Sequence, residues 1–163
     1  MGSPCTLHFY AETEIQGDKI YNACFQETQR LESKYSRYRK DSLLSTINLQ
    51  AGKKITIDNE TFALLNYADA AYQMSDGLFD ITTGALSKIW DFSQAIIPST
   101  EQINQQRALI GWHDIQWNEQ SITLPNNGMQ IDFGGIVKEY TADALATILK
   151  KNNVNNALVD MGG

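Results

Sequence analysis

Residues Ile131–Lys138 read IDFGGIVK, and the fold turns on how they are parsed. A short apolar run, Met129–Ile131, is cut by Asp132 and the pair Gly134 and Gly135. Apolar residues then recur at helical spacing as Ile136, Val137, Tyr140, Ala144, Leu145 and Ile148. The order predicts a strand, a tight turn and a helix. At such a turn the first helical N–H groups lack intrahelical partners and the helix dipole adds partial positive charge, so a phosphate can dock there. Lys138 lies within about one turn of that end. Ordinary turn chemistry also explains paired glycines, and the stretch is neither GxGxxG nor GxxxxGK.

Working outward, the helix leaves through KNNVNN into an apolar segment, Ala157–Val159, that reads as a last strand before MGG. Upstream of the central stretch, Asp114–Trp117 and Ser121–Leu124 flank the turn NEQ as two short strands. Pro98, Ser99 and Gln102 spell a capping box, with Ile103 and Ile110 facing inward and Gly111 closing the helix. The segment GLFDITTGAL, Gly77–Leu86, follows neither the helical nor the strand period for long. It reads either as a loop of fixed shape, where binding residues concentrate, or as Asp80 capping a helix over Thr82–Trp90.

Nearer the amino end, residues 3–10 alternate Cys5, Leu7 and Phe9 against Thr6, His8 and Tyr10, as a half-buried strand does. Ile20, Cys24, Thr28, Leu31, Tyr35 and Tyr38 then mark a helix of about five turns. Its end is basic, with Arg30, Lys34, Arg37, Arg39 and Lys40. Cations complement a helix carboxyl end on a solvated face; the functional alternative is a lip that attracts an anionic cofactor. Ser42 or Asp41 caps a short helix with Leu43, Leu44 and Ile47, GKKITID forms an edge segment, and Asp58 caps a helix with Phe62, Leu65, Ala68 and Tyr72 inward. Helices and strands interleave without βαβ regularity, so the expected class is α+β.

Composition narrows the function. The 163 residues suffice for one domain with a core. A formal net charge of -6 argues against a nucleic-acid surface, while leaving room for a local phosphate site. Cys5, Cys24, His8 and His113 lack zinc-ligand spacing; the cysteines read as two buried thiols, with a disulfide the alternative. No run is long and apolar enough to span a membrane, and no signal peptide is evident, so the expectation is a soluble chain with no export address.

Five blocks in order, MGSP, SRYRKDSLLSTIN, GLFDITTGAL, IDFGGIVKEYTADAL and LVDMGG, resemble the ApbE family, the FAD:protein FMN transferases, from Met1 to Gly163. The resemblance implies an ApbE-like, T-fold-like α+β fold in which helices pack on a mixed sheet. It also implies that FAD is cleaved at its diphosphate with Mg2+, that FMN is joined to a threonine of a target flavoprotein, and that AMP leaves. Carried over by position, it makes Met1, Tyr38, Leu78, Phe79, Asp80, Asp132 and Lys138 contacts to FAD, and Gly135 the residue that offers an oxygen to the metal, here a backbone carbonyl.

Family members continue past MGG into a stretch whose Asp and Thr or Ser bind magnesium. The expectation is therefore one ApbE-like domain over residues 1–163, trimmed at both ends and short of metal ligands. Two further readings share the same residues: an FAD pyrophosphatase giving FMN and AMP, and a flavin-binding fragment without turnover. The family is bacterial and often occurs as periplasmic inner-membrane lipoproteins, with cytoplasmic forms as well, so the resemblance leaves the compartment open.

Overall fold

The computed structural model describes residues 3–90 and 97–162. The chain opens with β1, Thr6–Phe9, in which Leu7 and Phe9 turn inward while Thr6 and His8 face solvent. Helix α1 spans Glu14–Tyr35, starting earlier than its apolar stripe because the Thr13 hydroxyl accepts from Gln16 N–H at 3.2 Å. It stops at Ser36, whose backbone turns extended. Tyr38 therefore lies beyond the helix rather than on its stripe.

Two apolar clusters organise the packing. In the first, α5, Val137–Lys151, lies along α1, and Leu145 and Leu149 meet Ile20 and Cys24 together with Val154 and Met161. β5, Ala157–Asp160, follows α5 and pairs antiparallel with β1 from Thr6↔Asp160 to Phe9↔Ala157, placing Leu7, Phe9 and Val159 on this cluster. Cys24 is buried, but Cys5 is exposed and both thiols are free, which corrects the reading of two buried thiols and removes the disulfide.

The second cluster joins the carboxyl end of α1 to several further elements. Helix α2, Leu43–Leu49, is capped by Ser42, whose Oγ accepts from Ser45 N–H at 2.9 Å. β2, Ile55–Thr56, leads to α3, Asn59–Met74, capped by Asp58 through Thr61 N–H at 3.0 Å. Leu31, Tyr35, Leu44, Ile47, Leu64, Leu65 and Ala68 interlock there with Trp112, Ile122, Leu124, Met129, Ile131 and Phe133. Each fully buried Leu, Ile, Met or Phe side chain among them contributes about 1.5–3 kcal/mol. After α3 the chain reverses through Asp76 at φ 52° and Gly77 at φ 79°, and Ile81–Lys88 form a 3-10 helix.

The capping box of Ser99 and Gln102 starts α4, Thr100–Arg107. Ile103 and Ile110 are only half-buried. Gly111 does not close this helix: the last turn ends at Ala108, and Gly111, extended at φ 174°, opens a 3-10 turn over Trp112–Asp114. β3, Gln116–Asn118, and β4, Ser121–Thr123, form a hairpin, with β2 on the other side of β4. Every strand pair among the described residues is antiparallel, in two small sheets, so the α+β class holds while the single mixed sheet does not. No helix among the described residues is long and apolar enough to cross a membrane.

The decisive stretch also departs from expectation. Residues 129–133 are buried in alternation as a half-buried strand would be, but they form no strand and join no sheet. Their ladder partners are replaced by one side chain, since Asn48 Oδ1 accepts from Ile131 N–H and Asn48 Nδ2 donates to Ile131 C=O, both at 2.9 Å. Asp132 N–H donates to Ile81 C=O at 2.8 Å. Gly84 allows this approach, because a Cβ there would lie 2.8 Å from the Ile131 carbonyl carbon. The 3-10 helix is thus pressed against the strand-like segment, and Asp132 is fixed at the mouth of α5.

Candidate functional site

The amino end of α5 is less open than its glycines suggest. Gly134 N–H is held by Asp132 Oδ1 at 2.9 Å, while Ile136 and Val137 N–H both reach Phe133 C=O, at 2.9 and 2.8 Å. The expectation of a row of unpaired amides holds only in part: Gly134, Ile136 and Val137 are bonded within the turn, while the N–H groups of Gly135, Lys138 and Glu139 have no partner among the described residues. A carboxylate, Asp132, also occupies the positive end of the dipole.

Two adjoining cavities, of about 300 and 450 Å³, meet at this turn. The first lies between the end of α1 and the start of α5, where Tyr35, Tyr38, Asp132, Phe133, Val137 and Lys138 line it. The second lies under the 3-10 helix and is lined by Leu78, Phe79, Asp80, Gly84, Asp132 and Gly135. Arg37, Asp132 and Gly134 line both. Seven of the eight residues that the resemblance assigns to the site are therefore gathered here. The eighth, Met1, lies outside the described residues.

Local structure explains each placement. Asp80 is a helix cap, as one of the two readings expected: its Oδ1 accepts from Thr82 N–H at 2.7 Å and Thr82 Oγ1 at 2.6 Å. Phe79 lies against Gly135, where a Cβ would come within 3.0 Å of its ring. Leu78 is 90% exposed and Tyr38 74%, so both offer apolar surface that a ligand could cover. Lys138 Nζ donates to Gly162 C=O at 2.9 Å, tying α5 to the segment after β5 while lining the first cavity.

The basic run divides between the two roles weighed for it. Arg30 bonds Glu27 and Glu60, and Lys34 bonds Asp58 and Glu60, away from the cavities. Arg30 first, then Lys34, hold the Glu60 carboxyl down at about 2 against the desolvation of burial. Desolvation pushes the Tyr35 hydroxyl up to about 12, against its bond to Thr61 at 3.0 Å. Arg39 pairs with Asp41. Arg37, by contrast, turns to the site: Nη1 donates to Asp132 Oδ2 and Nη2 to Tyr38 Oη, both at 2.8 Å, with the guanidinium 4.8 Å from the Tyr38 ring centre. In the sequence Arg37 is only one cation of a charged run. Its place beside Tyr38 in SRYRKDS was the available signal.

Metal binding is a separate question. Among the described residues no three His, Cys, Asp or Glu side chains gather to hold an ion. Gly135 offers a backbone carbonyl, but Asp132 is engaged by Arg37 and Gly134, and Asp80 Oδ1 by Thr82. Magnesium demands near-octahedral oxygen coordination, and this donor set does not fit it unaided.

The ApbE family model matches residues 1–163. The FAD:protein FMN transferase of Klebsiella pneumoniae is 31% identical over 168 residues, spanning 100% of this chain and 52% of that protein. That of Treponema pallidum is 30% identical over 174 residues, spanning 100% and 48%. The apo crystal structure of Pseudomonas stutzeri flavinyl transferase ApbE matches with a TM-score of 0.86 at 26% identity, over 100% of this chain and 56% of that one. The flavin transferase ApbE from Vibrio cholerae gives 0.84 at 22% identity over 100% and 55%, a likeness of fold. The chain spans about half the length of the curated relatives it matches.

Proposed function

Because the chain belongs to the ApbE family, matching its model from residue 1 to residue 163, we propose that it carries the FAD-binding part of an FAD:protein FMN transferase. The observation that supports this reading is convergence: three segments far apart in sequence bring Tyr38, then Leu78, Phe79 and Asp80, then Asp132, Gly135 and Lys138 to two adjoining cavities. Ligand sites typically take the form of such clefts, of about 300–1,000 Å³, with apolar walls and a few placed polar groups.

In this reading a threonine hydroxyl of a partner flavoprotein attacks the FMN-side phosphorus of FAD, a new phosphoester forms, and AMP leaves. Phosphoryl transfer needs little covalent chemistry from the protein, and its rate comes from positioning and from charge near the spread negative charge of the transition state. Phe79 and Tyr38 supply flat apolar surface for ring systems. Asp132 accepts hydrogen bonds from the ligand, and the Lys138 ammonium offers a compact positive charge at the helix start. The family's magnesium would assist by neutralising phosphate charge, and its ligands beyond the Gly135 carbonyl are not supplied by the described residues.

The test is to incubate the full-length protein with FAD, Mg2+ and a peptide bearing the acceptor threonine, then weigh the peptide. A peptide heavier by one FMN supports transfer. Free FMN and AMP beside an unchanged peptide would replace it with hydrolysis, and binding without turnover would leave a flavin-binding unit.

A further inference from the structure

The Arg37–Asp132 ion pair stands in the wall shared by the two cavities. On one side lie Tyr38 and Lys138, and on the other Leu78, Phe79, Asp80 and Gly135. A ligand that touches both groups must cross this pair. A dinucleotide is two ring-bearing halves joined through a diphosphate, so the part that lies over the crossing is its doubly anionic centre.

Resting on the reading of the site as an FAD site, we infer that Arg37 is the diphosphate-binding residue, and that the phosphates displace the Asp132 carboxylate from its guanidinium as the ligand enters. The side chain suits the exchange. A guanidinium carries five N–H donors in a planar fork that matches phosphate as well as carboxylate, and Asp132 and Tyr38 each take one of them. The Arg37 side chain is 33% exposed and that of Asp132 25%, so the pair is reachable from solvent. Its stacking on Tyr38 holds the guanidinium at the crossing when the carboxylate lets go.

The exchange has a second effect. While paired, Asp132 has Oδ2 on Arg37 and Oδ1 on Gly134 N–H. Release of Oδ2 provides the acceptor that a ligand hydroxyl or ring N–H requires. Arrival of phosphate on one side of the wall thereby readies a carboxylate for the rest of the ligand. A flavin lacking phosphate does not trigger it. Arg37 is thus a residue that selects for the diphosphate, distinct from Lys138, whose ammonium is tethered to Gly162.

The experiment is flavin fluorescence titration of the full-length protein with FAD and with riboflavin, in the wild type, Arg37→Ala and Arg37→Lys, with inorganic pyrophosphate as competitor. The expected result is that Arg37→Ala weakens FAD binding tenfold or more and leaves riboflavin binding unchanged or tighter. Arg37→Lys should recover part of the loss, and pyrophosphate should compete with FAD in the wild type far better than in Arg37→Ala. Equal weakening for FAD and riboflavin would reduce Arg37 to a structural strut. Unchanged FAD affinity in Arg37→Ala, or equal pyrophosphate competition in both proteins, would overturn the inference while leaving the FAD site intact. A wild type that binds no FAD would remove the proposed function and this inference with it.

Discussion

The Asn48 side chain serves Ile131 as a strand partner would, taking its N–H and giving to its C=O at 2.9 Å each across 83 residues of sequence. Ile131 is 1% exposed, so these backbone groups have little other recourse. Asn48→Ala should cost about 2–3 kcal/mol, the desolvation of two polar groups partly relieved by water. Asn48→Asp keeps the acceptor and loses the donor, and should fall at least as far because it brings a charge. Chemical denaturation measures both, and a loss below about 0.5 kcal/mol, the range of ordinary surface changes, would show that Asn48 does not hold the segment.

Gly84 controls the same region from the other side. A methyl group there would meet the Ile131 carbonyl carbon at 2.8 Å and Asp132 N at 3.0 Å, backbone atoms that cannot swing aside. Gly84→Ala should therefore destabilise by about 1–3 kcal/mol through overpacking. It should also displace Asp132 and weaken FAD binding beyond what the stability loss explains. Denaturation and FAD titration on the same variant separate the two effects, and a variant as stable as the wild type with full affinity would contradict the close packing.

These two contacts show where sequence reading stops. Ser42, Asp58 and Ser99 were legible as caps because a cap bonds within three residues of itself. Met129–Ile131 reads as a strand because a short buried apolar run looks the same whether or not it joins a sheet, and here the partner of Ile131 is a distant side chain. The end of α1 was overrun for a related reason: Tyr38 continues the apolar spacing, although the backbone breaks at Ser36. For the candidate site, the motif blocks single out Tyr38, Asp80, Asp132 and Lys138, and the fold brings these four to the two cavities. The role of Arg37 depended on which acid it met, and that acid is 95 residues away.

Acid sensitivity should arise from Glu60. It receives Arg30, Lys34 and the Tyr140 hydroxyl, joining α1, α3 and α5, and its side chain is only 19% exposed. Its carboxyl is lowered from 4.5 to about 2, with Arg30 the largest cause. A carboxyl lowered by folding adds stability that is complete above its unfolded value and is lost as pH falls from about 4.5 through about 2. Glu60→Gln should lower stability at pH 7 by about 1–2 kcal/mol, between an exposed pair and a buried one. It should also flatten the stability profile across that acid window. Denaturant titrations at several pH values check this, and a variant with the wild-type slope there would place the acid sensitivity in other carboxyls.

Asp80 has two tasks that substitution can separate. Oδ1 caps the 3-10 helix through Thr82, and the residue also lines the second cavity beside Phe79 and Gly135. Asn caps as well as Asp and is neutral, whereas Ala does not cap. Asp80→Asn should therefore stay within about 0.5 kcal/mol of the wild type, and Asp80→Ala should lose about 1 kcal/mol. If the carboxylate also receives a donor from the dinucleotide, both variants should weaken FAD binding, and Asp80→Asn should do so without a shift in Tm. A normal FAD affinity in Asp80→Asn would confine Asp80 to holding Phe79 and Thr82 in place, because the amide would then have preserved all that the site requires of it.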